Sequence, residues 1–126
     1  MKKLILIFLV VFTFSNCEKK DEDKLIGIWE FTKWDALGWG IWHPETEDKY
    51  KVEYRNDGQC ITYDYQMNEI SRAEYYSSDK NITTYGVNIN GTEWSGTKKY
   101  WYKNDTLITR ADGGFEYTDY YYVKIK

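Results

Sequence analysis

The chain has 126 residues, a formal net charge of −3 at pH 7 and an aromatic content of 19%. Its length fits a single domain, and its negative charge balance argues against a nucleic-acid partner, which would require a basic surface. Aromatic and β-branched residues suit the pleated surface of a sheet, whereas Ala and Leu, which favour helices, are scarce. We therefore expect an all-β domain.

The first sixteen residues have the pattern of a signal peptide. Lys2 and Lys3 precede an apolar run, Leu4 to Phe14, that is shorter than the roughly 20 residues needed to cross a membrane. The following Ser15-Asn16-Cys17 resembles the end of a bacterial lipobox, in which diacylglycerol is attached to the cysteine thiol. The resemblance implies that residues 1–16 are removed and that Cys17 becomes the lipid-bearing N-terminus. The alternatives are an uncleaved N-terminal anchor and a cysteine that falls at this position by chance.

We interpret residues 17–24 as the lipidated cysteine and a solvated tether, because the charged residues after Cys17 offer nothing apolar to a core. The domain then spans residues 25–126. Lys20-Asp21-Glu22 resembles the residues that direct some Gram-negative lipoproteins to the cell surface, with a plain linker as the alternative. We therefore expect a lipid-anchored protein of the outer membrane. With Cys17 acylated, Cys60 is left alone and no intramolecular disulfide is expected.

Alternating apolar and polar residues predict about eight short strands joined mostly by hairpins. The clearest turn signal is Asn56-Asp57-Gly58, which supplies residues that tolerate positive φ. Closing this meander into a small antiparallel up-and-down β-barrel removes both exposed edges, and a flattened β-sandwich is the alternative. The predicted strands cover residues 26–34, 49–55, 61–66, 72–77, 81–87, 98–103, 106–110 and 117–125.

Two motifs carry a resemblance to a known family. Leu25-Ile26-Gly27-Ile28-Trp29 resembles the Gly-x-Trp signature in the first strand of lipocalins. Asn104-Asp105-Thr106-Leu107, followed by an aromatic last strand, is similar to the lipocalin-like lipoproteins of Gram-negative bacteria. The resemblance covers most of residues 24–126 and implies a lipocalin-like barrel.

In lipocalins the Trp of the first motif plugs one end of the barrel and packs against a basic residue. The resemblance therefore implies a structural plug containing Gly27 and Trp29, with Arg110 or Lys124 as the cationic neighbour of the indole ring. The alternative is that Trp29 is a core aromatic residue with no special partner.

The connection after the first strand is a candidate ligand site. Residues 34–44 hold three of the six tryptophans in a segment longer than a hairpin needs. We interpret the segment as a lid that covers a small apolar, amphipathic or sugar-like ligand at the barrel mouth. The alternative is that the same rings fill the end of a solid barrel. The candidate lid residues are Trp34, Trp39, Trp42 and His43.

A second candidate surface lies on the last strand. Its alternation predicts that Tyr120 and Tyr122 stand on the outer side with Lys124, where tyrosines favour protein interfaces. Exposed aromatic side chains without a partner are the alternative.

The sequence does not favour catalysis. His43 is the one histidine, and no base candidate is apparent beside Cys60, which we interpret as an inert thiol. We expect no catalytic residues, metal site or cofactor. The leading hypothesis is a lipid-anchored, lipocalin-like binding protein of the envelope. Its rivals are a solid barrel that acts as a structural or protein-interaction module, and a sugar-binding module.

Overall fold

The computed structural model describes residues 21–36, 39–111 and 117–126. Cys17 and the predicted signal peptide lie outside these residues. The described part of the chain begins with a short helix and continues as one antiparallel sheet. Its elements are helix α1 Asp21–Leu25, a 3₁₀ turn Thr46–Asp48, and strands β1 Gly27–Ala36, β2 Gly40–Trp42, β3 Lys51–Tyr54, β4 Gln59–Tyr63, β5 Glu69–Ser78, β6 Asn81–Val87, β7 Glu93–Lys103, β8 Thr106–Ala111 and β9 Thr118–Lys124.

The sheet closes on itself because β1 pairs with β9. Trp29 lies opposite Lys124, and Ala36 lies opposite Thr118. β1 also pairs with β3, and β3 to β9 follow one another as antiparallel neighbours. β1 and β3 to β9 therefore form an eight-stranded up-and-down barrel. This confirms the predicted all-β barrel, and the flattened sandwich is wrong.

β2 is an additional strand that the sequence did not predict. It pairs only with the end of β1, where Trp34 lies opposite Trp42 and Ala36 opposite Gly40. β3 occupies the first part of the same edge of β1, from Gly27 to Glu30. β1 accommodates both neighbours in succession because it has ten residues and β3 has four.

The two ends of the barrel differ in how they are covered. The closed end holds α1 and the turns after β3, β5 and β7, whereas the open end holds the connections after β1, β4 and β6. At the closed end Leu25 is fully buried, and Trp29 Nε1 donates a 2.8 Å hydrogen bond to its carbonyl oxygen. The Ile28 N–H donates to the Lys126 carbonyl oxygen at 2.9 Å. The chain therefore enters the barrel at the closed end.

Large aromatic rings fill the closed half. Tyr54 and Tyr75 meet edge to face at 5.1 Å between ring centroids, and the Trp29 ring lies 6.1 Å from that of Tyr102. Each such ring removes about 150–250 Å² from water when buried, so a few residues can fill a narrow barrel. Every strand and core residue described lies within residues 25–126. A chain that begins at Glu18 therefore retains everything from which the barrel is built.

Most strand predictions are confirmed, with shifted boundaries. The turn at Asn56-Asp57-Gly58 is present, with Gly58 at φ +86°. The strand predicted at residues 61–66 corresponds to β4 and ends earlier, at Tyr63. It ends there because the Asp64 carboxylate accepts hydrogen bonds from the backbone N–H groups of Gln66 and Asn68, at 2.9 and 2.8 Å. β5 and β7 begin earlier than predicted, at residues 69 and 93, where pairing with neighbouring strands extends them.

Candidate functional site

The open half of the barrel contains a cavity of about 200 Å³. Side chains alternate along a strand, so Val52 and Tyr54 of β3 share the interior with their partners Thr62 and Cys60 of β4. β5, β6, β7 and β9 complete the wall. The lining mixes aromatic and aliphatic groups with the hydroxyl side chains of Thr62, Ser71 and Thr84. The interior is therefore partly hollow at this end.

Trp94 lines the cavity at the level of the open end. It lies opposite Gly86 in the pairing of β7 with β6. A Cβ atom on Gly86 would lie 2.9 Å from the indole Nε1 and 3.0 Å from two ring carbons. Glycine at this position therefore gives the indole room to lie against the neighbouring strand, and Trp94 remains 39% exposed.

Lys98 also lines the cavity and reaches solvent. It lies two residues before the buried Tyr100 and opposite the buried Ile82, which places it on the inner face of β7. The ion pairs among the described residues join Lys51 to Glu30, Arg55 to Asp57, Arg72 to Glu69 and Arg110 to Asp119. Lys98 is thus a cation at the cavity that no carboxylate of the described chain neutralises.

The other titratable groups of the cavity are held in their neutral forms. Burial raises the pKa of the Cys60 thiol to about 11, although the charge of Lys98 opposes the shift. Burial also raises the pKa values of Tyr50, Tyr54 and Tyr122. The Tyr50 and Tyr122 hydroxyls lie 2.7 Å apart and share a hydrogen bond. The positive charge of Lys98 therefore dominates the cavity at neutral pH.

A column of stacked rings connects the cavity to the predicted lid. Tyr50, which lines the cavity, stacks on Phe31 at 4.9 Å between centroids. Phe31 stacks on Trp34 at 5.6 Å, and Trp34 stacks on Trp42 at 6.4 Å. A bulge in β1 around Thr32 lets Phe31 and Trp34, three residues apart, face the same side.

The structure separates the predicted lid residues. Trp34 and Trp42 stack on each other, whereas Trp39 and His43 are exposed, and none of the four lines the cavity. Trp39 is 73% and Trp42 is 54% exposed, so these two rings do not fill the barrel interior. The solid-end interpretation is therefore wrong for Trp39 and Trp42. Leu37 and Gly38 lie outside the described residues.

Exposed apolar side chains cluster at the open end, which sequence reasoning missed. They come from the three connections after β1, β4 and β6 and from the adjoining strand ends. We call this set the apolar rim: Trp39, Ile41, Trp42, Met67, Ile70, Val87 and Ile89. Each residue is unremarkable by itself, and only the topology brings the three connections to one end. Clustering of exposed apolar groups is typical of binding surfaces.

Gly27 and Trp29, two of the residues assigned to the plug, lie at the closed end. Trp29 is 3% exposed, and Lys124 Nζ lies 5.5 Å from the centroid of its ring. Gly27 has φ +141°, and a Cβ atom there would lie 2.5 Å from Lys124 Cε and 2.6 Å from the Lys126 carbonyl oxygen. A depression of about 840 Å³ borders this end. Asp23 and Lys24 of α1 form part of its lining, so the depression lies where the chain enters the barrel.

Arg110 is not the cationic neighbour of Trp29. Its guanidinium group makes a two-pronged contact with the Asp119 carboxylate, at 2.6 and 2.8 Å. The guanidinium carbon lies 5.2 Å from the Trp101 ring and 5.1 Å from the Tyr117 ring. Arg110 lies on the outer face because Asp119 opposite it in β9 alternates with the inward-facing Tyr120. Its assignment to the plug is therefore corrected.

The predicted outer placement of Tyr120 and Tyr122 is also wrong. Tyr122 is 4% exposed and Tyr120 is half-buried, and both rings pack against Phe31. The outer face of β9 carries Tyr121 instead, with Lys33 Nζ 4.5 Å from its ring centroid. Aromatic residues occupy both faces of this strand, so alternation alone could not tell which face is buried.

The described residues contain no cluster of three or more potential metal ligands. Within the same part of the chain, no helix is long and apolar enough to cross a membrane. Glu53 of β3 and Asp64, which follows β4, do not form a carboxylate pair, because Glu53 accepts a hydrogen bond from Tyr63 and Asp64 accepts hydrogen bonds within the next turn. No protein-family model, curated protein or solved structure matches the chain.

Proposed function

We propose that this protein is an envelope lipoprotein, anchored to the outer membrane through Cys17, whose lipocalin-like barrel binds a small amphipathic molecule at its open end. The cavity of about 200 Å³ carries the proposal, because a purely structural barrel of this size would be filled by its own side chains. We propose binding rather than catalysis because Cys60, the thiol in the cavity, is held protonated.

The position of α1 supports this arrangement. α1 lies at the closed end, opposite the cavity. A tether that runs from a lipidated Cys17 to α1 would attach the closed end to the membrane. The apolar rim and the cavity would then face away from the bilayer, where a ligand could reach them.

The size of the cavity limits what it can enclose. Sites that bury drug-sized molecules measure about 300–1,000 Å³, so this cavity holds only part of such a molecule. The remainder would lie against exposed rings at the open end, where Trp94 and Trp42 offer apolar surface. We therefore favour a slender amphipathic ligand over haem or a retinoid.

Tryptophan fluorescence tests the proposal on the chain from Glu18 onward. The titration panel contains fatty acids, fatty alcohols, retinoids, haem and oligosaccharides. We expect saturable changes with slender amphipathic compounds, and loss of most of the change in Trp94→Phe, because Trp94 lines the cavity. Trp101→Phe is the matched control, because Trp101 lies against the guanidinium group of Arg110 and outside the lining. Silence across the whole panel would contradict ligand binding.

The lipid anchor has its own test. In the native host, the mature N-terminal peptide should carry a thioether-linked diacylglycerol on Cys17, detectable by mass spectrometry. Cys17→Ser should prevent this modification and release the protein from the membrane fraction. An unmodified Cys17 thiol in the native protein would refute the lipid anchor and would leave the proposal of ligand binding unaffected.

A protein-interaction module is the second candidate function, and the apolar rim favours it. Trp39, Ile41 and Trp42 are each more than half exposed. Exposed tryptophans are also the groups on which sugars stack, so the rim is equally where a sugar-binding module would act. Two results together would favour the interaction module. A partner would co-purify with the native protein but not with the Trp39→Ser and Trp42→Ser variants, and the fluorescence titrations would show no change.

A further inference from the structure

We infer that the open-end cavity binds the carboxylate end of an amphipathic molecule, with the Lys98 ammonium group as counter-charge. The inference rests on the proposed function and specifies its ligand class. It follows from three features of the cavity, namely its charge, its unused hydrogen-bond donors and its exposure to solvent.

The charge of the cavity is opposite to that of the chain. Acidic residues outnumber basic residues by 20 to 17, yet the cavity lining contains Lys98 and neither Asp nor Glu. Lys98 makes no ion pair with the described residues. A lysine placed only for solubility would be expected on the outer face, as Lys99 is in the same strand. A cation that lines the cavity and that no carboxylate of the described residues neutralises therefore favours an anionic guest.

The same cavity offers hydrogen-bond donors that the described protein does not use. The hydroxyls of Thr62, Ser71 and Thr84 line it, and the side-chain hydrogen bonds of the described residues include none of the three. A hydroxyl can donate to either oxygen of a carboxylate. One ammonium group with a few hydroxyls suits a monoanion, whereas a phosphate dianion is more typically held by Arg or several cations.

Lys98 is also accessible, which a bound head group requires. Lys98 is exposed, and the neighbouring Trp94 is 39% exposed. A carboxylate could enter past Trp94, while its alkyl chain would remain against the indole and the apolar rim. The cavity volume of about 200 Å³ matches a head group with a few methylene groups better than a whole fatty acid.

Calorimetric titration of the chain from Glu18 tests this inference with decanoate, decanol and decyl phosphate. We expect decanoate to bind at least about tenfold more tightly than decanol, as charge-assisted hydrogen bonds allow. Lys98→Met should reduce decanoate affinity about tenfold and leave decanol affinity unchanged. Lys98→Arg should retain most of the decanoate affinity. Lys99→Met is the matched control and should bind as the unmodified chain does.

The outcomes separate the inference from the proposed function. Equal affinities for decanoate and decanol, or full decanoate affinity in Lys98→Met, would overturn the role of Lys98 while leaving ligand binding intact. Tighter binding of decyl phosphate than of decanoate would overturn the carboxylate assignment. Failure of all three compounds to bind would count against the proposed function itself. Lys98→Gln provides a second neutral variant if the thermal transition shows that Lys98→Met is unfolded.

Discussion

Replacement of Gly27 by alanine should destabilise the closed end strongly. Gly27 has φ +141°, a backbone conformation that L residues rarely adopt, which alone costs about 1–3 kcal/mol. The new Cβ atom would also lie 2.5 Å from Lys124 Cε and 2.6 Å from the Lys126 carbonyl oxygen. The lysine side chain can move aside, but the carbonyl oxygen belongs to the backbone that pairs with Ile28. Relieving that overlap adds about 1–3 kcal/mol.

The sum is a loss of about 2–6 kcal/mol in the free energy of unfolding, which lowers the melting temperature by roughly 10 °C or more in a domain of this size. Two other glycines separate the contributions. Gly40→Ala has the unfavourable φ of +120°, but no atom lies within 4 Å of the added Cβ. Gly96→Ala has neither a positive φ nor a close contact of the added Cβ. Melting temperatures measured by circular dichroism should fall in the order Gly96→Ala, Gly40→Ala, Gly27→Ala. Equal values for Gly27→Ala and Gly40→Ala would refute the contact with the C-terminus.

Two further predictions concern the cavity wall. Because burial raises the pKa of Cys60 from 9.0 to about 11, the unfolded chain releases this proton first, so stability should fall as pH rises between these values. Denaturant titrations should show a smaller fall for Cys60→Ala, and an identical fall would contradict the assignment. Tyr122→Phe removes the partner of the Tyr50 hydroxyl and should cost about 1–2 kcal/mol, whereas Tyr121→Phe on the outer face should cost almost nothing. Similar losses for both would contradict the orientation of β9.

The barrel could be predicted because its strands alternate clearly and its turns carry strong local signals. β6 has the predicted bounds, since Ile82 faces the core between the polar Asn81 and Thr83, and turns flank the strand. The first part of β7 gave no such signal, because Glu93 to Thr97 is exposed, has Trp94 as its one large apolar residue, and becomes a strand by pairing with β6. Long-range pairing of this kind leaves no trace in local sequence.

The candidate site was only partly predictable. The sequence pointed to the aromatic segment at residues 34–44, and the structure does place it at the open end, but Trp94 and Lys98 were missed. One signal for Lys98 was available, since residues 98, 100 and 102 of a predicted strand must share a face and two of them are tyrosines. Charged residues ordinarily lie on the outer face of a barrel, and the inner position of Lys98 is the kind of local inconsistency typical of functional sites.

The cavity arises from a gradient of side-chain size along three neighbouring strands. From the closed end toward the open end, large inward-facing residues give way to smaller ones in β5, β6 and the middle of β7. They run Tyr75, Ala73, Ser71 in β5, Ile82, Thr84, Gly86 in β6, and Tyr100, Lys98, Gly96 in β7. Opposite them, β1 and β9 keep large rings toward the open end, with Phe31 and Tyr120 in contact. Small residues in three adjacent strands cannot fill the space that those rings leave. The hollow is thus a consequence of where the aromatic residues are placed, and total aromatic content, which is high, does not reveal it.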